Sequence, residues 1–94
     1  MLKLQQVGPN MTVVEIGYIT ILFSYQTPVA GCNPDYAGGA LFRTSKYYSA
    51  TTAKHINKWF REEWQINPGL INEIDQNIID NMVGDVDYNE GARS

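Results

Sequence analysis

Thr12-Val-Val-Glu-Ile-Gly-Tyr-Ile-Thr-Ile-Leu-Phe-Ser-Tyr25 is the stretch that decides the fold. Thr12 to Ile16 is a β-branched run of the kind that packs well on a pleated surface. Gly17 marks a tight turn, with Tyr18 in the turn or opening the next strand. Ile19, Ile21, Phe23 and Tyr25 then alternate with Thr20, Leu22 and Ser24, a period-2 pattern that puts one apolar set on one face. Upstream, Leu2, Leu4 and Val7 form a short run closed by Gly8-Pro9-Asn10, a turn signal. The reading is an antiparallel three-strand meander.

Downstream, residues 26–40 are rich in Gly, Pro and Asn and read as a loop, long for a compact domain and therefore a place to look for function. A fourth strand is expected near Ala40 to Ser45, with Leu41 and Arg43 on one face and Phe42 and Thr44 on the other. Ser49, Thr51 and Thr52 offer N-cap oxygens to a helix whose stripe is Ala53, Ile56, Phe60 and Trp64. Asn67-Pro68 reads as the start of a second helix, with Ile71, Ile74, Ile78 and Met82 as its stripe and Gly84 as its stop. The expected fold is α+β, a four-stranded antiparallel meander packed on one face by two C-terminal helices. It forms one domain over 1–84, followed by an acidic tail, 85–94, expected to be mobile. Two helices on one face leave the other uncovered, and Val13, Leu22 and Phe42 fall on the less favoured side of their strands. A homodimer is therefore expected.

The chain has 94 residues, is 44% hydrophobic and 18% charged, and carries a formal net charge of −3. Its low charge and many aromatics exclude a disordered chain, and no apolar run is long enough for a membrane span. The N-terminus lacks the apolar core of a signal peptide, so a cytoplasmic setting is expected. Cys32 is the only cysteine and His55 the only histidine, which excludes an internal disulfide, a cysteine zinc site and a multi-histidine metal centre. Asp85-Val-Asp-Tyr-Asn-Glu-Gly91 opens like a calcium loop, but its glycine is seventh rather than sixth and the closing acid is missing. No metal and no cofactor are expected.

The net charge hides a division. Residues 1–61 hold six bases and two acids, whereas residues 62–94 hold one base and eight acids. Between Tyr36 and Arg61 there is no acid at all. The segment 43–61 combines Arg43, Lys46, Lys54, Lys58 and Arg61 with Tyr47, Tyr48, Trp59 and Phe60 and several hydroxyls. Cations suit phosphates, and flat side chains suit bases. The plain alternative is that Tyr47, Trp59 and Phe60 are core and the lysines a solvated helix face, and a sequence pI near 4.9 opposes general nucleic-acid affinity.

Ser24-Tyr-Gln-Thr-Pro-Val-Ala30, Phe42-Arg-Thr-Ser45, Tyr48-Ser49 and Thr51-Thr-Ala-Lys-His-Ile-Asn-Lys-Trp59 together resemble a family of short proteins of unknown function from bacteriophages and marine metagenomes. The resemblance spans roughly residues 10–60 and leaves the C-terminal helix and tail particular to this chain. It implies no activity, only a phage-like or host-cytoplasmic setting. It also singles out Arg43, Lys54 and His55, with Tyr25 or Tyr48, as residues expected to line a shared pocket under the 26–40 loop for a phosphate-bearing ligand.

The expected function is a small non-enzymatic binding module for nucleic acid or a phosphate ligand, with Arg43, Lys46, Tyr48, Lys54, His55, Lys58 and Arg61 as binding residues. One alternative is a module for a host protein or for self-assembly. Another is a small hydrolase or nucleotide sensor built on His55 and Arg43, which requires a carboxylate such as Asp35 or Glu62 in reach of His55.

Overall fold

The structure is a computed structural model that describes residues 2–84. The acidic tail and its calcium-loop-like stretch lie outside the described residues. The strands are β1 (Leu2–Gly8), β2 (Met11–Ile16), β3 (Ile19–Ser24), β4 (Thr27–Cys32), β5 (Leu41–Thr44) and β6 (Asn72–Ile74); the helices are α1 (Ala50–Glu63) and α2 (Gln76–Gly84). The sheet runs in chain order from β1 to β6, antiparallel from β1 to β5 and parallel between β5 and β6. The expected four-stranded meander with both helices on one face is therefore replaced by a six-stranded mixed sheet, still of the α+β class.

The decisive hairpin forms as its sequence indicates. Ile16 faces Ile19 across a two-residue turn in which Gly17 takes the left-handed φ of 63°. Three corrections follow from residues whose local signals point elsewhere. Residues 27–32 form a strand rather than a loop. Pro28 is tolerated because β5 pairs only with Ala30 to Cys32, so Pro28 lies where β4 has one neighbour. Val29 is the extra residue of a bulge between Leu22 and Phe23, and both Val29 and Ala30 join one core. Gly31 lets β4 approach β3, since a Cβ there would lie 2.3 Å from the Thr20 carbonyl oxygen.

The second correction concerns Asn67-Pro68. The Asn67 side chain accepts from the Gly69 N–H at 2.9 Å, as a cap should, but only a single 3₁₀ turn (Pro68–Leu70) follows. The chain then extends into β6, and its second helix starts only at Gln76. The apolar positions read as one stripe are split: Ile71 packs on the α1 side and Ile74 on the α2 side.

The third correction removes the uncovered face. Val13, Leu22 and Ala30 face one another and pack with Ile56, Trp59 and Phe60 of α1. Ile21, the chain neighbour of Leu22, and Phe42 point to the opposite face and pack with Ile79, Met82 and Val83 of α2. The sheet is the middle layer of three, and each of its faces carries an apolar cluster packed against one helix. The α1 stripe is also rotated from the expected one: Thr52, Ile56, Trp59 and Phe60 are buried, while Trp64 is exposed. No helix among the described residues is long and apolar enough to cross a membrane.

Candidate functional site

The residues that carry the family resemblance converge where the β3–β4 turn meets the start of α1. Ser24 ends β3 on the α1 face and is only 2% exposed. Its Oγ lies 3.0 Å from Thr52 Oγ1 and 2.8 Å from His55 Nδ1. Thr52 donates its N–H to Ser49 Oγ at 3.1 Å, the N-cap bond of α1, and the Ser49 hydroxyl lies 3.4 Å from Thr52 Oγ1. Thr52 and His55 share a helix face because they stand three apart. The result is a continuous chain, Ser49–Thr52–Ser24–His55, fixing the helix start to the sheet.

Burial holds the His55 pKa below its usual value, and the nearby Lys58 charge pushes the same way. The ring is neutral near pH 7, and Nδ1 shares one hydrogen bond with the Ser24 hydroxyl, whose direction goes with the tautomer. The Tyr25 ring lies 5.8 Å from the imidazole, tilted by 45°. Tyr25 sits at φ 58°, a left-handed position that costs a side-chain-bearing residue roughly 1–2 kcal/mol. Its N–H donates to the Asn10 carbonyl at 2.7 Å, so the two turns at this end of the sheet are joined.

Among the described residues His55 meets no carboxylate. Asp35 accepts a hydrogen bond from the Tyr18 hydroxyl instead, and His55 Nδ1 is used by Ser24. Ser24 is buried beneath the helix, and its bonds to Thr52 and His55 tie β3 to α1. No group of His, Cys, Asp and Glu suited to a metal ion occurs among the described residues.

Arg43 is separated from His55, although it shares a cleft with Ser49 and Thr52 of this chain. It leaves β5 on the α1 side, and its Nη1 donates to Asn57 Oδ1 at 2.9 Å and to the Pro68 carbonyl at 3.4 Å. Asn57 lies about 200° round the helix from His55, so the two residues occupy opposite flanks of α1. The expected shared pocket is thus two places. Arg43 instead lines a cleft of about 130 Å³ together with Ser45, Lys46, Tyr48, Ser49 and Glu73. Its buried Nε has no hydrogen-bond partner among the described residues. The Lys46 ammonium stands 5.0 Å from the Tyr48 ring centre, a cation–π contact. Burial, and then the Asp80 charge, push the Tyr48 hydroxyl pKa up.

Lys54, Lys58 and Arg61 are all exposed along the outer face of α1, spanning about 10 Å of its axis. Tyr47 is 73% exposed, whereas Trp59 and Phe60 are core, so the basic and aromatic segment divides between both uses. Sequence reasoning missed Ser24 and took Thr52 only as an N-cap candidate, without its bond to Ser24. The Thr52-x-x-His55 spacing marks one polar helix face, but nothing local announces a partner 31 residues away.

Fold and site together define a small mixed-sheet α+β domain whose most distinctive polar residues bind its own layers together. The chain belongs to the family of unknown function DUF8033, which matches residues 2–81. That match reaches beyond the 10–60 core of the motif and takes in β6 and most of α2, so the C-terminal helix is part of the family's domain rather than particular to this chain. No curated protein and no solved structure matches the chain.

Proposed function

We propose that this domain is a non-catalytic binding module whose ligand is a single-stranded nucleic acid lying along the outer face of α1. The observation that carries this reading is the exposed row of Lys54, Lys58 and Arg61 on one helix face. Exposed Tyr47 and Tyr48 lie at the helix start, beside Lys46, where bases have flat surfaces to stack on. The acidic character of the whole chain confines attraction to this strip, so contacts are few and affinity is modest. His55 and Arg43 support the strip from beneath, by fixing α1 to the sheet and to the turn at Pro68.

The test is a titration of a fluorescent oligonucleotide at several salt concentrations. Three phosphate contacts predict a slope of log affinity against log salt near −2 for a single strand, at roughly −0.7 per contact. A Lys54→Glu, Lys58→Glu, Arg61→Glu variant changes only exposed positions and is expected to fold normally and lose binding. Absence of binding at low salt, or a slope unchanged in this variant, overturns the reading.

A further inference from the structure

The geometry points to β1 as a pairing edge for a second copy of this chain, with Lys3 of each copy seated in a tryptophan- and glutamate-lined groove of the other. Among the described residues β1 is the first strand of the sheet, hydrogen-bonded only to β2, and at seven residues it is the longest strand. Lys3, Leu4, Gln5 and Gln6 are all exposed. An edge of this length presents a row of backbone groups with no partner. The opposite edge, β6, has only three residues.

Beside β1, on the α1 face, runs an open groove of about 270 Å³, lined by Gln5, Val7, Glu15, Trp59, Glu63 and Trp64 among others. The two indoles meet edge to face at 5.9 Å. Trp64, the helix cap, is 38% exposed, an unusual position for an indole unless something covers it. Glu63 occupies the last turn of α1, where the helix dipole disfavours an anion. Glu15 faces Lys3 of its own chain in the β1–β2 register, so Glu63 beside the aromatic wall is the carboxylate that offers a site to a second cation.

The cation is on the same strand. A two-fold axis normal to the sheet pairs β1 with its copy antiparallel and keeps each face turned the same way. Facing residues then share parity, so Lys3 meets Gln5 of the copy when the axis passes Leu4, and Val7 of the copy when it passes Gln5. Gln5 and Val7 both line the groove, so in either register the Lys3 ammonium reaches over the edge towards Glu63. With the axis at Leu4, the two Leu4 side chains, each 66% exposed, also cover one another on the α2 face. A lysine on an edge strand ordinarily repels a neighbouring strand; here the groove supplies its counter-charge, and the pairing is selective for this chain.

The test is sedimentation velocity of the full chain from low to high micromolar concentration. The expected result is a dimer whose dissociation constant rises at least tenfold in both Lys3→Glu and Glu63→Lys. The double exchange, Lys3→Glu with Glu63→Lys, restores it. Circular dichroism of each variant establishes that the fold is retained, since both residues are exposed. In a Cys32→Ser background, Leu4→Cys or Gln5→Cys cross-links across the axis under mild oxidation. A wild-type chain that stays monomeric, single exchanges that leave the dimer intact, a double exchange that fails to restore it, or cysteines that do not cross-link each overturn the inference. These readouts contain no nucleic acid, so they stand or fall apart from the binding reading above.

Discussion

Replacing Ser24 by Ala tests whether the hydroxyl and imidazole chain anchors α1. The substitution removes one hydrogen bond to His55 Nδ1 and one to Thr52 Oγ1 while leaving the backbone of β3 unchanged. A net hydrogen bond contributes about 1 kcal/mol, and a buried polar group left without a partner costs about 1–3 kcal/mol. Thr52 keeps only the long 3.4 Å approach of Ser49, whereas the half-buried His55 ring recovers part of its loss through water. The expected destabilisation is about 2–3 kcal/mol, a large share of the roughly 4–12 kcal/mol available to a domain of this length. Tm falls by roughly 10–20 °C. Urea unfolding followed by tryptophan fluorescence reads the change, because Trp59 lies in the core next to this chain. Ser24→Ala combined with His55→Phe closes a double-mutant cycle, and the two effects are expected to be strongly non-additive. A cost under about 0.5 kcal/mol, or additivity within about 0.5 kcal/mol, refutes the anchoring role.

Further outcomes follow from the same structure. His55 binds its proton less readily folded than unfolded, so the unfolded state holds more protons between the two pKa values. Its contribution is complete above the ordinary histidine value near 6.5 and is lost as pH falls through the depressed folded value, a loss that a pH series of unfolding midpoints detects and that His55→Phe abolishes. Gly31→Ala places a Cβ 2.3 Å from the Thr20 carbonyl oxygen and 2.9 Å from the Phe42 ring; the strands must separate, and a loss of about 3 kcal/mol or more is expected in thermal unfolding. Ser49→Ala removes the N-cap of α1 and lowers stability by about 1 kcal/mol in the same assay, with Ser49→Asp close to wild type.

The sequence carries the elements whose signals are local and leaves out those made by partners far along the chain. The β2–β3 hairpin, its Gly17 turn and the existence of α1 all come from patterns a few residues long and stand in the structure, although the buried stripe of α1 is rotated from the one read. Strand β4 is hidden because its Pro28 and Gly31 are turn residues by local rules. The missing neighbour beside Pro28 and the close approach of β3 at Gly31 are properties of the assembled sheet. Strand β6 is hidden because Ile71, Ile74, Ile78 and Met82 recur at helical spacing by coincidence, the first two belonging to opposite faces of the sheet. At the site, the row of Lys54, Lys58 and Arg61 is legible from helical period alone. The grouping of Arg43 with His55 is not, because a flank of α1 is chosen only when β3 and β5 dock beneath it.

The parallel pairing of β5 with β6 has a consequence for how the chain finds its fold. Strands β1 to β4 are joined by two-residue turns, whereas β5 and β6 meet only after residues 45–71 have looped out and returned. Chain-closure entropy makes that last contact roughly 2 kcal/mol more costly than a hairpin. The hairpins are expected to form before the β5–β6 pair. Amide exchange is therefore fastest across the three residues of β6, and opening there frees α2 while β1 to β4 stay protected.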